Sequence, residues 1–217
     1  MSLARAAVAA PAILVSHPVP GSHGLEALAP ARFPSCYPAG AEIYGQGEVA
    51  RDLYRVEFGT VRLYRLLSDG RRQIMAFYLS GEVFGFEADG THHFFAEAIS
   101  ATGVVVLRLS SDGELPCSIL PLAFRGIVRA QEHLLVLGRQ NAEERVAAFL
   151  VDMAERQGGF DRFDLPMPRM DIADYLGLTI ETVSRVFTRL KQKGIIRLPG
   201  LRSVEILRWQ ALRDMSE

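Results

Sequence analysis

Glu181, Ser184 and Arg185 are the residues whose types and spacing carry the most chemistry in this sequence. On a helix beginning at Ile180 they lie three and four residues apart along one side, within the first turn and a half. Arginine makes a paired hydrogen bond to O6 and N7 of guanine, glutamate accepts from cytosine N4, and serine fills either role. The set therefore suits base edges in a DNA major groove. The plainer alternative is a solvated face closed by an i, i+4 ion pair between Glu181 and Arg185, which is common on any helix. Thr179, Arg189, Lys191, Lys193 and Arg202 are candidates for phosphate contacts, which fix register without reading sequence.

Two short helices must hold these residues. In Arg169–Leu190, RMDIADYLGLTIETVSRVFTRL, the residues Ile172, Leu176, Leu178, Val183, Val186 and Leu190 are spaced to press two apolar sides together. Ala173 stands where a small side chain lets the helices cross. Gly177 can take the left-handed conformation of a sharp reversal, and Thr179 can cap the second helix. A generic amphipathic helix has no need of this Ala, Gly and Val pattern together with the exposed Glu, Ser and Arg, so the stretch reads as a helix-turn-helix. Beyond it, Ile195–Leu198, Pro199-Gly200 and Val204–Leu207 read as two strands around a turn, which makes the unit a winged helix.

The chain has 217 residues, 49% of them hydrophobic, enough for two modest domains with cores. Its net charge of -1 gives no global sign of a nucleic-acid partner, but from Arg169 to the end nine Lys and Arg face six Asp and Glu. Such a patch neutralises phosphate locally even on an acidic protein. Cys36 and Cys117 lie far apart in no metal-type spacing and read as free thiols of a cytoplasmic protein. Residues 1–30, rich in Ala and Pro, read as a loosely ordered extension: Pro11 interrupts the apolar run and the basic end is too slight for a signal peptide. No run reaches the roughly 20 apolar residues that span a bilayer, so no membrane partner is expected.

Residues 31–114 carry a strand pattern punctuated by glycines, with alternation in Leu53–Phe58 and Val61–Arg65 and a hairpin turn at Ser68–Arg71. A small β-barrel is expected. Residues 115–139 read as one long helix, on which Ile127, Ala130, Leu134 and Leu137 repeat in steps of three and four like a coiled-coil seam. Its alternative is packing onto its own barrel; Val128, Leu135 and Val136 add more apolar surface than one such contact covers, which favours a homodimer. Gly138 and Asn141 mark a hinge, and Asn141 with Glu144 reads as a capping box opening residues 140–217, the DNA-binding domain. The class is α+β, with an N-terminal barrel, a long dimerisation helix and a C-terminal winged helix-turn-helix.

With these elements in order, the chain resembles the CRP/FNR superfamily of bacterial transcription regulators over roughly Phe33–Leu207. The stretches that carry the resemblance are Gly40–Tyr44, Gly59–Val61 and Gly81–Gly85 in the barrel, Asn141–Ala147 after the hinge, and the second helix. Glu181-Thr182-Val183-Ser184-Arg185 is similar to the E-x-x-S-R signature of the FNR and FixK branches; Ile180 stands where the cyclic-AMP branch has its first arginine. The resemblance implies a cyclic-nucleotide-binding-like jelly roll and a regulator, expected to activate low-oxygen-response genes. It implies reading of a TTGAT-N4-ATCAA-like palindrome through Glu181, Ser184 and Arg185, with RNA polymerase as a further partner. Double-stranded DNA and a second copy of the chain are the other partners expected.

The barrel departs from the nucleotide-binding branch. Phe86, not Glu, follows Gly85, and Thr91-His92-His93-Phe94 occupies the Arg-Ser region, so a buried cyclic phosphate would lack its guanidinium. An effector-gated regulator with an unidentified small molecule in the barrel is the alternative function. His92 and His93, adjacent in a strand, would face opposite ways and not share a metal. Two cysteines cannot supply the four thiolates of an iron-sulfur cluster. No cofactor or metal is expected, and no pairing of nucleophile and base suggests an enzyme.

Overall fold

The computed structural model describes residues 33–108, 119–139 and 141–216. The expected extension at 1–30 and Cys117 lie outside the described residues. Alternating apolar positions and glycine turns fold the first part into eight strands: β1 (Ser35–Tyr37), β2 (Glu42–Tyr44), β3 (Asp52–Phe58), β4 (Val61–Leu66), β5 (Arg72–Tyr78), β6 (Val83–Phe84), β7 (Phe95–Ala98) and β8 (Thr102–Arg108). They form two antiparallel four-stranded sheets, ordered β1-β8-β3-β6 and β2-β7-β4-β5. The sheets close like a jelly roll over Tyr44, Val56, Val61, Leu63, Phe84, Ala96 and Val104. At the β3–β4 turn Gly59 has φ +82°, and a Cβ there would stand 2.5 Å from the Ala101 carbonyl oxygen, so no side chain fits.

Helix α1 (Leu120–Gly138) follows, opening on Pro121 in its first turn, where the missing N–H costs nothing. Its 19 residues span about 28 Å. Helix α2 (Ala142–Arg156) begins at the expected cap, but the bond differs from a capping box: Asn141 accepts from the N–H of Glu143, and no return bond from Glu144 is present among the described residues. The backbone N–H groups of Gly158 and Gly159, both at positive φ, close α2 on its last carbonyls. The chain then makes β9 (Arg162–Asp164), α3 (Arg169–Leu176), α4 (Ile180–Gln192), β10 (Ile196–Arg197), β11 (Ser203–Ile206) and α5 (Trp209–Asp214). The wing is broader than a hairpin, because β9 pairs with β11 in a sheet ordered β10-β11-β9. Trp209, the one tryptophan of the sequence, donates its indole N–H to Asp161 at 2.7 Å.

The two parts share a core. Ile74 and Phe77 of β5 are buried in one cluster with Val146 and Leu150 of α2, Ile172 and Leu176 of α3, and Val183 and Leu190 of α4. Each of these side chains, once buried, contributes about 1.5–3 kcal/mol. The helix-turn-helix is therefore packed against the barrel's outer sheet.

Candidate nucleic-acid interface

The turn that presents α4 is built as its residues require. Gly177 ends α3 with φ +62° and ψ +39°, and the N–H groups of Gly177 and Leu178 both donate to the Ala173 carbonyl. Ala173 is fully buried between the two helices. The Thr179 hydroxyl accepts from the N–H of Thr182 at 3.2 Å and caps α4, a bond worth about 1 kcal/mol. Val183, Val186, Phe187 and Leu190 face inward, which leaves Glu181, Ser184, Arg185 and Thr188 outward in solvent. Arg169 of α3 lies over the Phe187 ring at 3.3 Å and ties the pair together; burial lowers its guanidinium to about 10.

The three candidate base-reading residues are all on that outward face. Among the described residues Arg185 makes no ion pair; its guanidinium donates to the Thr182 hydroxyl at 3.2 Å, and the i, i+4 bridge to Glu181 that the plainer alternative calls for is absent. Glu181 is held below its ordinary carboxylate value by its own backbone N–H, by the Thr179 hydroxyl and by the charge of Arg185. The face thus offers a charged acceptor at the helix start and, one turn on, a guanidinium with no acid to compete for it. Ser184, Arg185, Thr188 and Arg189 together line a shallow concavity.

The candidate phosphate residues divide into two groups. Lys191 and Arg202 are exposed, the latter beside the fully exposed Leu201 at the tip of the wing. Arg189 and Lys193 both pair with Glu143 at the start of α2, at 2.9 and 2.8 Å. These contacts hold the Glu143 carboxyl below its usual range. On α1, Ile127 and Leu134 are exposed, and so is Ala130, while Leu137 is half-buried and lies near Gly177 of the turn. The exposed apolar stripe runs through Phe124 (62% exposed), Ile127, Val128, Leu134 (67%) and Leu135, broader than the seam drawn from the sequence.

Residues that sequence reasoning did not single out set how α3 and α4 stand on the barrel. Asp171 of α3, 1% exposed, accepts from Arg62 of β4 and Arg72 of β5. Asp174 pairs with Arg72, and the Gln73 amide donates to the Asp174 carbonyl. Glu82 binds Arg129 of α1 and Arg156 of α2, and Arg156 also donates to the Phe77 carbonyl. At the hinge Arg145 donates to the carbonyls of Arg139 and Leu176. The partners are separated by up to 109 residues, so no local pattern could have announced them.

Comparison with known proteins agrees with this arrangement. A cyclic nucleotide-binding domain model matches residues 34–113 and a Crp-like helix-turn-helix domain model matches 144–215. The nitrogen fixation regulation protein FixK of Rhizobium meliloti (strain 1021) is 52% identical over 201 residues, covering 90% of this chain and 95% of that protein. The chain belongs to the CRP/FNR family of transcription regulators. Within the family it is FixK-like: the FixK of Azorhizobium caulinodans is 41% identical over 99% of both chains. The structure of FixK2 from Bradyrhizobium japonicum superposes with a TM-score of 0.78 at 43% identity, over 84% of this chain and 96% of that one. These relatives are transcription regulators of the same family and not enzymes.

The nucleotide-binding name of the barrel's family model does not extend to its residues here. A cavity of about 510 Å³ lies between the barrel, α1, α2 and α3. Its barrel wall contributes Tyr44, Tyr78, Phe86, Phe94 and Glu87, and no cation. His92 is buried and stacked on Tyr44 at 3.6 Å, with Glu87 3.5 Å from its Nδ1. The cavity's guanidiniums, Arg129, Arg139 and Arg156, come from the helical side, and Arg129 and Arg156 are already paired with Glu82, so the barrel itself offers a cyclic phosphate a carboxylate and no arginine. His93 points the other way, to Asp89 at 3.1 Å in solvent, as expected of the pair, although the two lie in a loop and not in a strand. No helix among the described residues is long and apolar enough to cross a membrane.

Proposed function

We propose that the protein is a homodimeric transcription activator of low-oxygen-response genes, acting in the cytoplasm on a TTGAT-N4-ATCAA-like palindrome without a small-molecule effector. In this reading residues 31–114 are a sensor-like barrel, 115–139 a dimerisation helix and 140–217 the DNA-binding domain. Glu181, Ser184 and Arg185 read bases, and Thr179, Arg189, Lys191, Lys193 and Arg202 hold phosphates. The observation that carries it is the outward face of α4, where Arg185 is free of any acidic partner among the described residues. The exposed stripe around Ile127 and Leu134 supports a second copy, which sets two recognition helices about 34 Å apart for successive major grooves. Ala130 and Leu137 flank it. RNA polymerase is the partner an activator requires. The effector-gated alternative draws its support from the cavity beside α1.

Selection from random duplexes with the purified, ligand-free protein tests the reading. A palindrome with two such half-sites is the expected product. Arg185→Ala is expected to cost about 1–3 kcal/mol on that site and to relax the preference at its guanine. Recovery of an unchanged palindrome by Arg185→Ala would remove α4 from its role, and binding only after adding a cell extract of small molecules would favour the gated alternative.

A further inference from the structure

Among the described residues Glu143 is the one carboxylate paired with candidate phosphate-binding cations at the end of α4, and it comes from a different helix. Its side chain is largely buried, held in the first turn of α2 just past the Asn141 cap. Its two oxygens are divided between Arg189 Nη1 and Lys193 Nζ, which are 60% and 51% exposed and lie one turn apart on α4. Arg189 also borders the concavity that holds Ser184 and Arg185. Both cations therefore stand beside the reading face with an acid already on them.

We propose that Glu143 is a positioning residue for DNA recognition: an internal competitor for phosphate that restrains Arg189 and Lys193 and sets how strongly, and with what salt dependence, the protein binds any duplex. This rests on the reading of α4 as the helix that enters the groove. Counterion release gives the argument its sign. Each phosphate neutralised by a protein cation releases about 0.9 of a condensed counterion. When Arg189 and Lys193 move to phosphates, the Glu143 carboxylate is left without partners and takes up a cation from solution, which offsets part of that release. The pair then contributes less to affinity than two unpaired cations would. The carboxylate touches no base, so the base preference set by Glu181, Ser184 and Arg185 stands apart from it. A protein that must find one site among many non-specific ones gains from weaker attachment to random sequence.

The test uses the full chain and its Glu143→Gln variant, titrated into the palindrome and into a scrambled duplex over a salt series. Glu143→Gln is expected to bind both duplexes several-fold more tightly at low salt. Its log–log salt slope should be steeper by about 0.9, which is a further drop of about 3.5-fold for each fourfold rise in salt. The preference for the palindrome is expected to stay as it was. In an Arg189→Ala, Lys193→Ala background the same substitution should leave the slope unchanged, and Glu144→Gln, which removes a neighbouring acid with no ion pair among the described residues, should leave it unchanged in the parent. Equal slopes for parent and Glu143→Gln, weaker binding by Glu143→Gln, or an equal effect of Glu144→Gln would each overturn the proposal. Arg185→Ala run alongside separates the two claims: if it loses guanine preference while Glu143→Gln does nothing, only the role of Glu143 fails.

Discussion

Two clusters, each an acid held between two cations, tie the helix-turn-helix to neighbouring elements in different degrees of burial. At the barrel, Asp171 is enclosed by Arg62 and Arg72; at the start of α2, Glu143 holds Arg189 and Lys193. In the first the acid is 1% exposed and its arginines at most a quarter exposed, so the acid has no water to turn to and its arginines little. In the second the acid is 15% exposed but its cations stand half in solvent, where water can take the acid's place on them. Identical chemistry thus gives a fixed joint where it is dry and an exchangeable contact where it is wet.

The contrast sharpens into measurable differences. Asp171→Ala has the largest expected effect, a loss of about 3 kcal/mol in urea unfolding, because Arg62 and Arg72 lose the enclosed acid they share and keep only Glu97 and Asp174. A loss below about 1 kcal/mol would mean that water reaches the cluster and that it is no joint. Asp174→Ala should cost about 1–2 kcal/mol, since Arg72 keeps Asp171 and the Gln73 bond uses the backbone. Glu143→Gln is expected to change unfolding by less than about 1 kcal/mol while altering DNA binding as above. The Glu143 carboxyl titrates below its unfolded value, so its small contribution is present above about pH 4.3 and fades as pH falls through the folded value. Stability comparisons of parent and variant from neutral to acid pH should therefore converge, and a gap that persists in acid would point to packing instead of charge.

What could be read beforehand follows from how local each signal is. The turn at Gly177, the Thr179 cap and the inward Val183 are fixed by neighbours within a few residues, and they stand where the sequence puts them. Strands β3, β4, β5 and β8 announce themselves by alternation or by a nearly continuous apolar run. By contrast β9 has three residues and α5 six, too short for a period to show. The pairing of Asn141 slipped by one residue, from Glu144 to Glu143, because the cap geometry and not the motif chooses the N–H. That slip matters, since Glu143 is the acid on Arg189. The stripe on α1 is broader than the seam because Phe124, Val128 and Leu135 are exposed beside Ile127 and Leu134, while Leu137 is drawn toward the turn at Gly177. Nothing local marks Arg62, Arg72, Glu82 and Arg156, whose partners are distant in sequence and meet them only in the folded chain.

The burial of Ile74 and Phe77 among the helices reaches beyond architecture. A chain severed between α1 and α2 would bare oily surface on both fragments, so recognition helix and barrel are expected to melt together in a single cooperative step. Evolutionary exchange of one half for that of a distant cousin would have to carry the matching side of this shared seat with it.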